Sequence, residues 1–378
     1  MSVWTSAASL SMVVMEADGD RGWLEVLRRE GLSPVDGVLQ APLSGLRSDE
    51  AYCVAFRDED TGHWSRVARF RTALAGDGWR VVTFGATSCL GGNEPWRTLT
   101  QAAGAQLDFF AFLVDTVYAD GSVELDDYRL SWSAARTTPG FVDVTASTAM
   151  VATWDDHEVG NNWTADGLAP GQFDAALRAF REVMPQGRGA EGSTLWRQLR
   201  FGSVLDVFVL DGRGERSGTD YLSRAQMDWV KAGLAGSSAR FKVILNSVPI
   251  TDLSAIFGQG AQDDRWEGFP EQRAELLGFI VEAGIEGVLW VSGDVHYAQV
   301  GRVDPPGGAG ADQFEVFAGP GGSFANVGAE LFQGDPQYAW MSSVWNYARF
   351  TCDPGTGRVL VEHIDDDGSM LNSVTLQL

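Results

Sequence analysis

Cysteine is scarce in this chain: Cys53, Cys89 and Cys352 are the three among 378 residues. Three thiols cannot all pair internally, and no CxxC or zinc-finger spacing is present, so a disulfide framework is not expected. Cationic side chains are few as well. Lys and Arg number 28 against 51 Asp and Glu, a formal charge of −23. Such a chain is a poor general binder of nucleic acid or anionic membrane, and no nucleic-acid-binding surface is expected. An anionic substrate must instead be drawn by a local positive centre, either a metal or clustered Arg. No apolar run approaches the ~20 residues of a membrane helix. The first stretch, "MSVWTSAASLSMVVMEADGD", lacks a basic n-region and a clear cleavage site. No signal peptide is read there, and as written the chain is expected to be cytoplasmic. Internal repeats and low-complexity tracts are also missing.

What is present suits an ordered globular chain, with 44% hydrophobic and 21% charged residues. Its length predicts two domains. Residues 1–75 look like a small β domain. "AYCVAF" alternates, placing Tyr52, Val54 and Phe56 on one face. The turn "RDEDTGH" and the run "WSRVARFRT" complete a hairpin. "LSGLRSDEAY" is similar to the tyrosine-corner region of fibronectin-type sandwiches. "ALAGDGW" reads as a linker.

From residue 80 onward strands and helices alternate, which predicts an α/β domain. The apolar strand candidates are 81–84, 109–114, 150–153, 207–210, 242–245 and 288–291. Helical spacing marks "FDAALRAFREVM". "SRAQMDWVKAGL" opens with Ser223 and Gln226 at capping-box spacing. "PEQRAELLGFIVEAG" starts on Pro270 and ends at Gly284.

Each predicted strand delivers a polar group just beyond its carboxyl end. In order these are Cys89; Asp115 with Tyr118; Asp155, Asp156 and His157; Asp211, Arg213 and Arg216; Asn246; and Asp294 with His296. Ligands bind at that edge of open α/β sheets. Asp and Asn favour turns for their own reasons, but Cys, Tyr and His do not. "WDDHEVGNNW" therefore reads as one wall of a metal site. Asp and Asn bring hard oxygens, and His296 an imidazole. Cys89 and Tyr118 can bring a thiolate and a phenolate, which favour a trivalent ion such as ferric iron. So mixed a donor set suggests two unlike metals sharing a carboxylate, with Asp115 the candidate bridge. His157 is the candidate acid–base group. Arg213, and Arg129 from "DDYRLSW", are candidate phosphate binders, with Arg216 and Asn161 as further substrate contacts. His63 and His363, in surface hairpin and strand contexts, read as structural.

These segments resemble the PhoD-like alkaline phosphatase/phosphodiesterase family of the calcineurin-like metallophosphatase group. "FGATSC", "DFFAFLVDTVYADG", "WDDHEVGNNW", "LDGRGER", "LSRAQMDWVKAGL", "KVILNSVP", "WEGFPEQRAELL" and "VSGDVH" follow the family's order over about residues 40–372. The resemblance implies a core of two packed sheets flanked by helices, behind a fibronectin-like β sandwich at 1–75, with the catalytic domain at 76–378. It implies Fe3+ with Ca2+, or another divalent ion such as Zn2+ or Mn2+. Carried over by motif, Cys89, Asp115, Tyr118, Asp156 and His296 are metal ligands, with Asn246 and Asp294 on the second ion. The implied activity is hydrolysis of phosphate mono- or diesters by a metal-bound hydroxide. The same site would suit phospholipids or phosphotriesters, and a degenerate relative would bind phosphate ligands without turnover. Two positions depart from the family pattern: Val114 stands where Gly is usual and Thr116 where Tyr is usual. Members are often exported.

Overall fold

The computed structural model describes residues 1–17, 22–92, 95–184, 194–257 and 262–378. Its centre is a pair of facing sheets. One has six strands, in the spatial order Met370–Gln377, Arg358–Asp365, Asn346–Asp353, Val82–Thr87, Phe109–Phe112 and Ala149–Ala152. The other has seven, in the order Arg197–Phe201, Leu205–Val209, Phe241–Leu245, Val288–Ser292, Phe314–Phe317, Ala298–Arg302 and Tyr338–Ser342. The six strands expected from the sequence all lie in the parallel parts of these sheets, three in each.

Alternation along those strands explains why they are apolar throughout. Phe109 and Ala111 join Val207, Val209, Val243, Leu245, Leu289 and Val291 in the layer between the sheets. Phe110 and Phe112 point the other way, onto the helices Arg97–Ala103, Leu125–Thr137, Pro139–Ser147 and Gln172–Val183. On the second sheet, Phe208, Ile244 and Trp290 face outward onto Arg224–Gly236 and Pro270–Glu282. A strand covered on both faces has no position for a solvated side chain, so polar residues collect at its ends.

Two local expectations change in detail and one holds. The first central strand runs to Thr87, because Asn346–Asp353 and Phe109–Phe112 pair with it through Gly85 and Ala86. Ser223 does cap its helix, accepting from the Gln226 N–H at 3.2 Å. The Gln226 side chain does not return to the cap. It grips the peptide of Asp211 instead, accepting from its N–H at 2.8 Å and donating to its carbonyl at 3.0 Å.

Ahead of the paired sheets lie a four-stranded sheet, ordered Trp23–Leu32, Leu10–Ala17, Ala51–Asp58 and Ala68–Arg71, and the pair Ser2–Trp4 with Val38–Gln40. Leu10, Met12, Val14, Leu39, Tyr52, Val54 and Phe56 form its own core. The Tyr52 hydroxyl accepts from the Arg47 N–H at 3.0 Å, which closes a tyrosine corner. None of the described helices is long and apolar enough to cross a membrane.

His363 is buried rather than superficial. Its strand alternates so that it shares the inter-sheet face with Val359 and Val361, and its ring lies 4.5 Å from that of Trp340. Burial holds its pKa down at about 3, against 6.5 for the free side chain. On acidification the unfolded chain takes up this proton first, so stability is present above pH 6.5 and drains away as the pH falls toward 3. Replacing His363 by Leu is expected to remove that slope. Between about pH 6.5 and about pH 4.5 the variant should lose roughly 2 kcal/mol less than the parent in urea unfolding. Parallel losses in the two proteins would refute a neutral buried imidazole.

Candidate metal centre

The loops beyond the parallel strands meet where the two sheets end side by side. The turn at Cys89 is tied to the turn at Asp115, since the N–H groups of Cys89 and Leu90 donate to the carbonyls of Val114 and Asp115 at 3.1 and 3.0 Å. The next turn is tied in by Ala119 N–H to the carbonyl of His157 at 2.8 Å. Across the gap, the Ser88 hydroxyl donates to the carbonyl of Ala318 at 2.7 Å. Gly293 has to be glycine here: a Cβ on it would meet the Ser88 Cβ at 2.4 Å.

Cys89, Asp115, Asp294 and His296 all have a left-handed backbone, with φ of 53°, 51°, 72° and 59°. Asp and His tolerate that region better than most residues, but Cys has no such preference. Each such residue costs on the order of 1–3 kcal/mol, and strain of this kind collects at functional sites.

Three groups of side chains can each converge on an ion. They are Cys89 with Asp115 and His296, Asp115 with Asp156 and His157, and Asp155 with Asp156 and Asp264, the ligand atoms in each lying within 4.8 Å of one another. Asp115 is common to the first two. Cys89 Sγ lies 3.5 Å from Asp115 Oδ2. The other oxygen of Asp115 is buried without a hydrogen-bond partner, and so are Oδ1 atoms of Asp155, Asp156 and Asn246. Buried polar atoms are nearly always satisfied. Orphaned oxygens on Asp115, Asp155 and Asp156, whose carboxylates gather in overlapping groups, are what a cation site offers, so the donor set fits metal.

The electrostatics agree. Burial pushes the Asp115 carboxyl well above the ordinary range, and Asp156, Glu158 and Asp294 push the same way. Asp294 is raised by burial and by Asp155 and Asp156. The Cys89 thiol and the Tyr118 phenol are raised mainly by burial. Anions crowded like this need a cation. His296 is suited to ligation as it stands. Its Nδ1 donates to the Phe324 carbonyl at 2.9 Å, which leaves Nε2 free, and burial holds its pKa at about 4, so the ring is neutral.

His157 is held differently. Its Nδ1 lies 2.8 Å from Asp120 Oδ2, and its ring stands 4.1 Å from the ring of Tyr118. The Tyr118 hydroxyl donates to Ser323 Oγ at 3.1 Å.

The arginines correct the reading from sequence. Arg129 is not brought to this cluster. Its guanidinium binds Glu182 at 2.7 Å and Asp36 at 3.3 Å, which ties its helix to the N-terminal sheets. Arg213 reaches the cluster, but its fork is closed by Asp155 at 2.7 Å and Asp264 at 2.5 Å. The buried Asp155 and the partly buried Asp264 hold its guanidinium, so Arg213 stands as their counter-ion. Arg216 donates to the carbonyls of Asp263 and Asp264 at 3.1 and 3.2 Å and lies over the Tyr221 ring. Asn161 is exposed, and its N–H donates to Asp120 at 2.6 Å.

Sequence reasoning passed over four contributors. Asp120 orients His157. Asp264 completes the third acidic group. Glu158 accepts from the Thr116 and Asp155 N–H groups at 2.7 and 3.1 Å, and burial raises its pKa to about 8. Gln226 fixes the Asp211 turn. Glu158 stood in the "DDHE" run already noticed, so that signal was present. Val114 packs in the inter-sheet core, and Thr116 supplies the N–H that Glu158 holds.

A family model described as PhoD-like phosphatase matches residues 81–336. Alkaline phosphatase D of Bacillus subtilis (strain 168) is 26% identical over 307 residues, 67% of this chain and 52% of the relative. The chain thus spans about half the length of that curated protein. A solved structure of PhoD aligns with a TM-score of 0.81 at 20% identity, covering 99% of this chain and 83% of its own. A purple acid phosphatase from yellow lupin (Lupinus luteus) seeds aligns with a TM-score of 0.69 at 14% identity, covering 98% and 70%. At those identities the likeness to the solved structures is one of fold.

Proposed function

The chain belongs to the PhoD-like phosphatase family, and from that premise we propose that it hydrolyses phosphate mono- or diesters in a metal-dependent reaction centred on Asp115. The observation that carries this reading is the set of buried, unpartnered oxygens on Asp115, Asp155, Asp156 and Asn246. Two of the groups those acids form share the Asp115 carboxylate.

Cys89, Asp115, Tyr118, Asp156, Asn246, Asp294 and His296 would hold the ions: Fe3+ with Ca2+, or with Zn2+ or Mn2+ in place of calcium. Bound metal would lower the pKa of water and screen the charge on the phosphoryl oxygens. The chain's own residues do the rest. His157, its Nδ1–H held by Asp120, turns Nε2 toward the leaving oxygen and as the imidazolium would give that oxygen its Nε2 proton. Arg213 keeps Asp155 and Asp264 in place, and Glu158 locks the backbone of two ligand turns. We also propose that residues 1–75 form a domain distinct from the catalytic unit at 76–378.

Cys89 and Tyr118 distinguish ferric iron from a purely divalent site. A thiolate or phenolate on Fe3+ absorbs in the visible, so concentrated active protein is expected to be coloured. Cys89→Ser should weaken or shift the band and lower the iron content. Turnover of chromogenic mono- and diesters, measured with the metal content of the same sample, tests the activity. Colourless, iron-free protein of full activity would leave a carboxylate and imidazole site for divalent ions. Metal-loaded protein that cleaves neither ester would refute the phosphoesterase reading.

A further inference from the structure

We propose that the cleft beside His296 receives the retained organic arm of a phosphodiester and favours an aromatic or otherwise apolar group there. This names a substrate class for the site described above and rests on the phosphoesterase reading.

The cleft has a volume of about 420 Å³; Asp264, Arg265, Asp294 and His296 line its polar side and Phe257, Phe324 and Val327 its apolar side. The Phe324 ring lies on the His296 imidazole, with centroids 3.9 Å apart and planes 15° from parallel. An apolar wall therefore begins directly at a candidate metal ligand. That wall is kept in water: Phe324 is 66% exposed, Val327 69% and Leu331, just beyond, 87%. Large apolar side chains left uncovered beside a polar centre mark a surface that a ligand covers.

The two arms of a diester are then assigned by the two histidines. His157 groups with Asp115 and Asp156, whereas His296 groups with Asp115 and Cys89. His157 does not line the cleft. If His157 serves the leaving oxygen, a phosphoryl group at Asp115 directs its other arm past His296 and onto Phe324. An aryl or alkyl group there would cover apolar surface already exposed, which a small polar arm cannot do.

The test holds the leaving group constant. Methyl, hexyl and phenyl p-nitrophenyl phosphate differ in the retained arm alone. With the metal-loaded protein, kcat/KM is expected to rise roughly tenfold or more from methyl to hexyl or phenyl. Phe324→Ala and Val327→Asp should each bring that ratio close to one. A variant that merely disturbs His296 would slow all three esters alike and leave the ratio unchanged. A flat series in the parent protein, a steep series that survives both substitutions, or turnover of monoesters alone would each overturn the subsite. Failure to cleave any phosphate ester would refute the phosphoesterase reading itself, and the subsite with it.

Discussion

Asp115→Asn is expected to lower kcat/KM by at least about 10³-fold, the scale of losing a principal electrostatic stabiliser of the reaction, and to strip metal from the protein. The reasoning starts from position. Asp115 follows a strand buried on both faces, is itself fully buried, and is common to two of the candidate ligand groups. An amide keeps the shape and one oxygen, but it removes the negative charge and puts an N–H₂ where a bridging oxygen would be. Among the described residues no other side chain belongs to both groups, so neighbours cannot compensate. The fold should survive. In the metal-free state this carboxyl is raised by burial and by Asp156, Glu158 and Asp294, so it costs stability as the pH rises through its folded pKa. Relief of that repulsion should leave the metal-free variant melting at or above the metal-free parent. Full metal content with full activity in Asp115→Asn would remove Asp115 from the centre.

His157→Asn should keep its metal and lose about 10²–10⁴-fold in turnover, the usual range for general acid–base help. The Asp120 carboxylate 2.8 Å from Nδ1 can only accept, so Nδ1 keeps its proton and the proton given to the leaving oxygen is the Nε2–H of the imidazolium. A role in protonating the leaving oxygen has a signature: esters of acidic phenols should suffer less than alkyl esters, because their leaving groups need less protonation. Asp120→Asn should show the same leaving-group trend with a smaller loss, about tenfold, since the imidazole remains but is no longer oriented. Loss of metal in His157→Asn would instead make His157 a ligand, which the grouping of its ring with Asp115 and Asp156 allows.

The central strands and the residues at their ends were legible from sequence for one physical reason. Strands such as Phe241–Leu245 and Val288–Ser292 are covered on both faces, so they appear as unbroken apolar runs with an abrupt polar end. The strands after residue 292 were harder to see. Met370–Gln377 lies at a sheet edge with most of its side chains partly or fully in water, and it is recognised through its pairing with Arg358–Asp365. Asp120 sits in a turn and Asp264 ends the short 3-10 helix Gln262–Asp264, neither with a periodicity to read, and they join the centre only because distant segments meet there. The arginines show the opposite limit. A sequence gives the charge of Arg129 and Arg213 but not their partners, and Glu182, Asp36, Asp155 and Asp264 engage that charge before any phosphate could.

One measurement bears most directly on the claim that these strand-end residues form a hydrolytic metal centre. The protein is stripped by a chelator, its metal content determined, and its turnover of a chromogenic phosphate ester followed as iron and calcium, or zinc or manganese, are added back. Turnover should vanish with the metal and return in proportion to the metal rebound, while Asp115→Asn fails to recover under the same additions. Metal-free protein that hydrolyses the ester at the full rate would contradict the account.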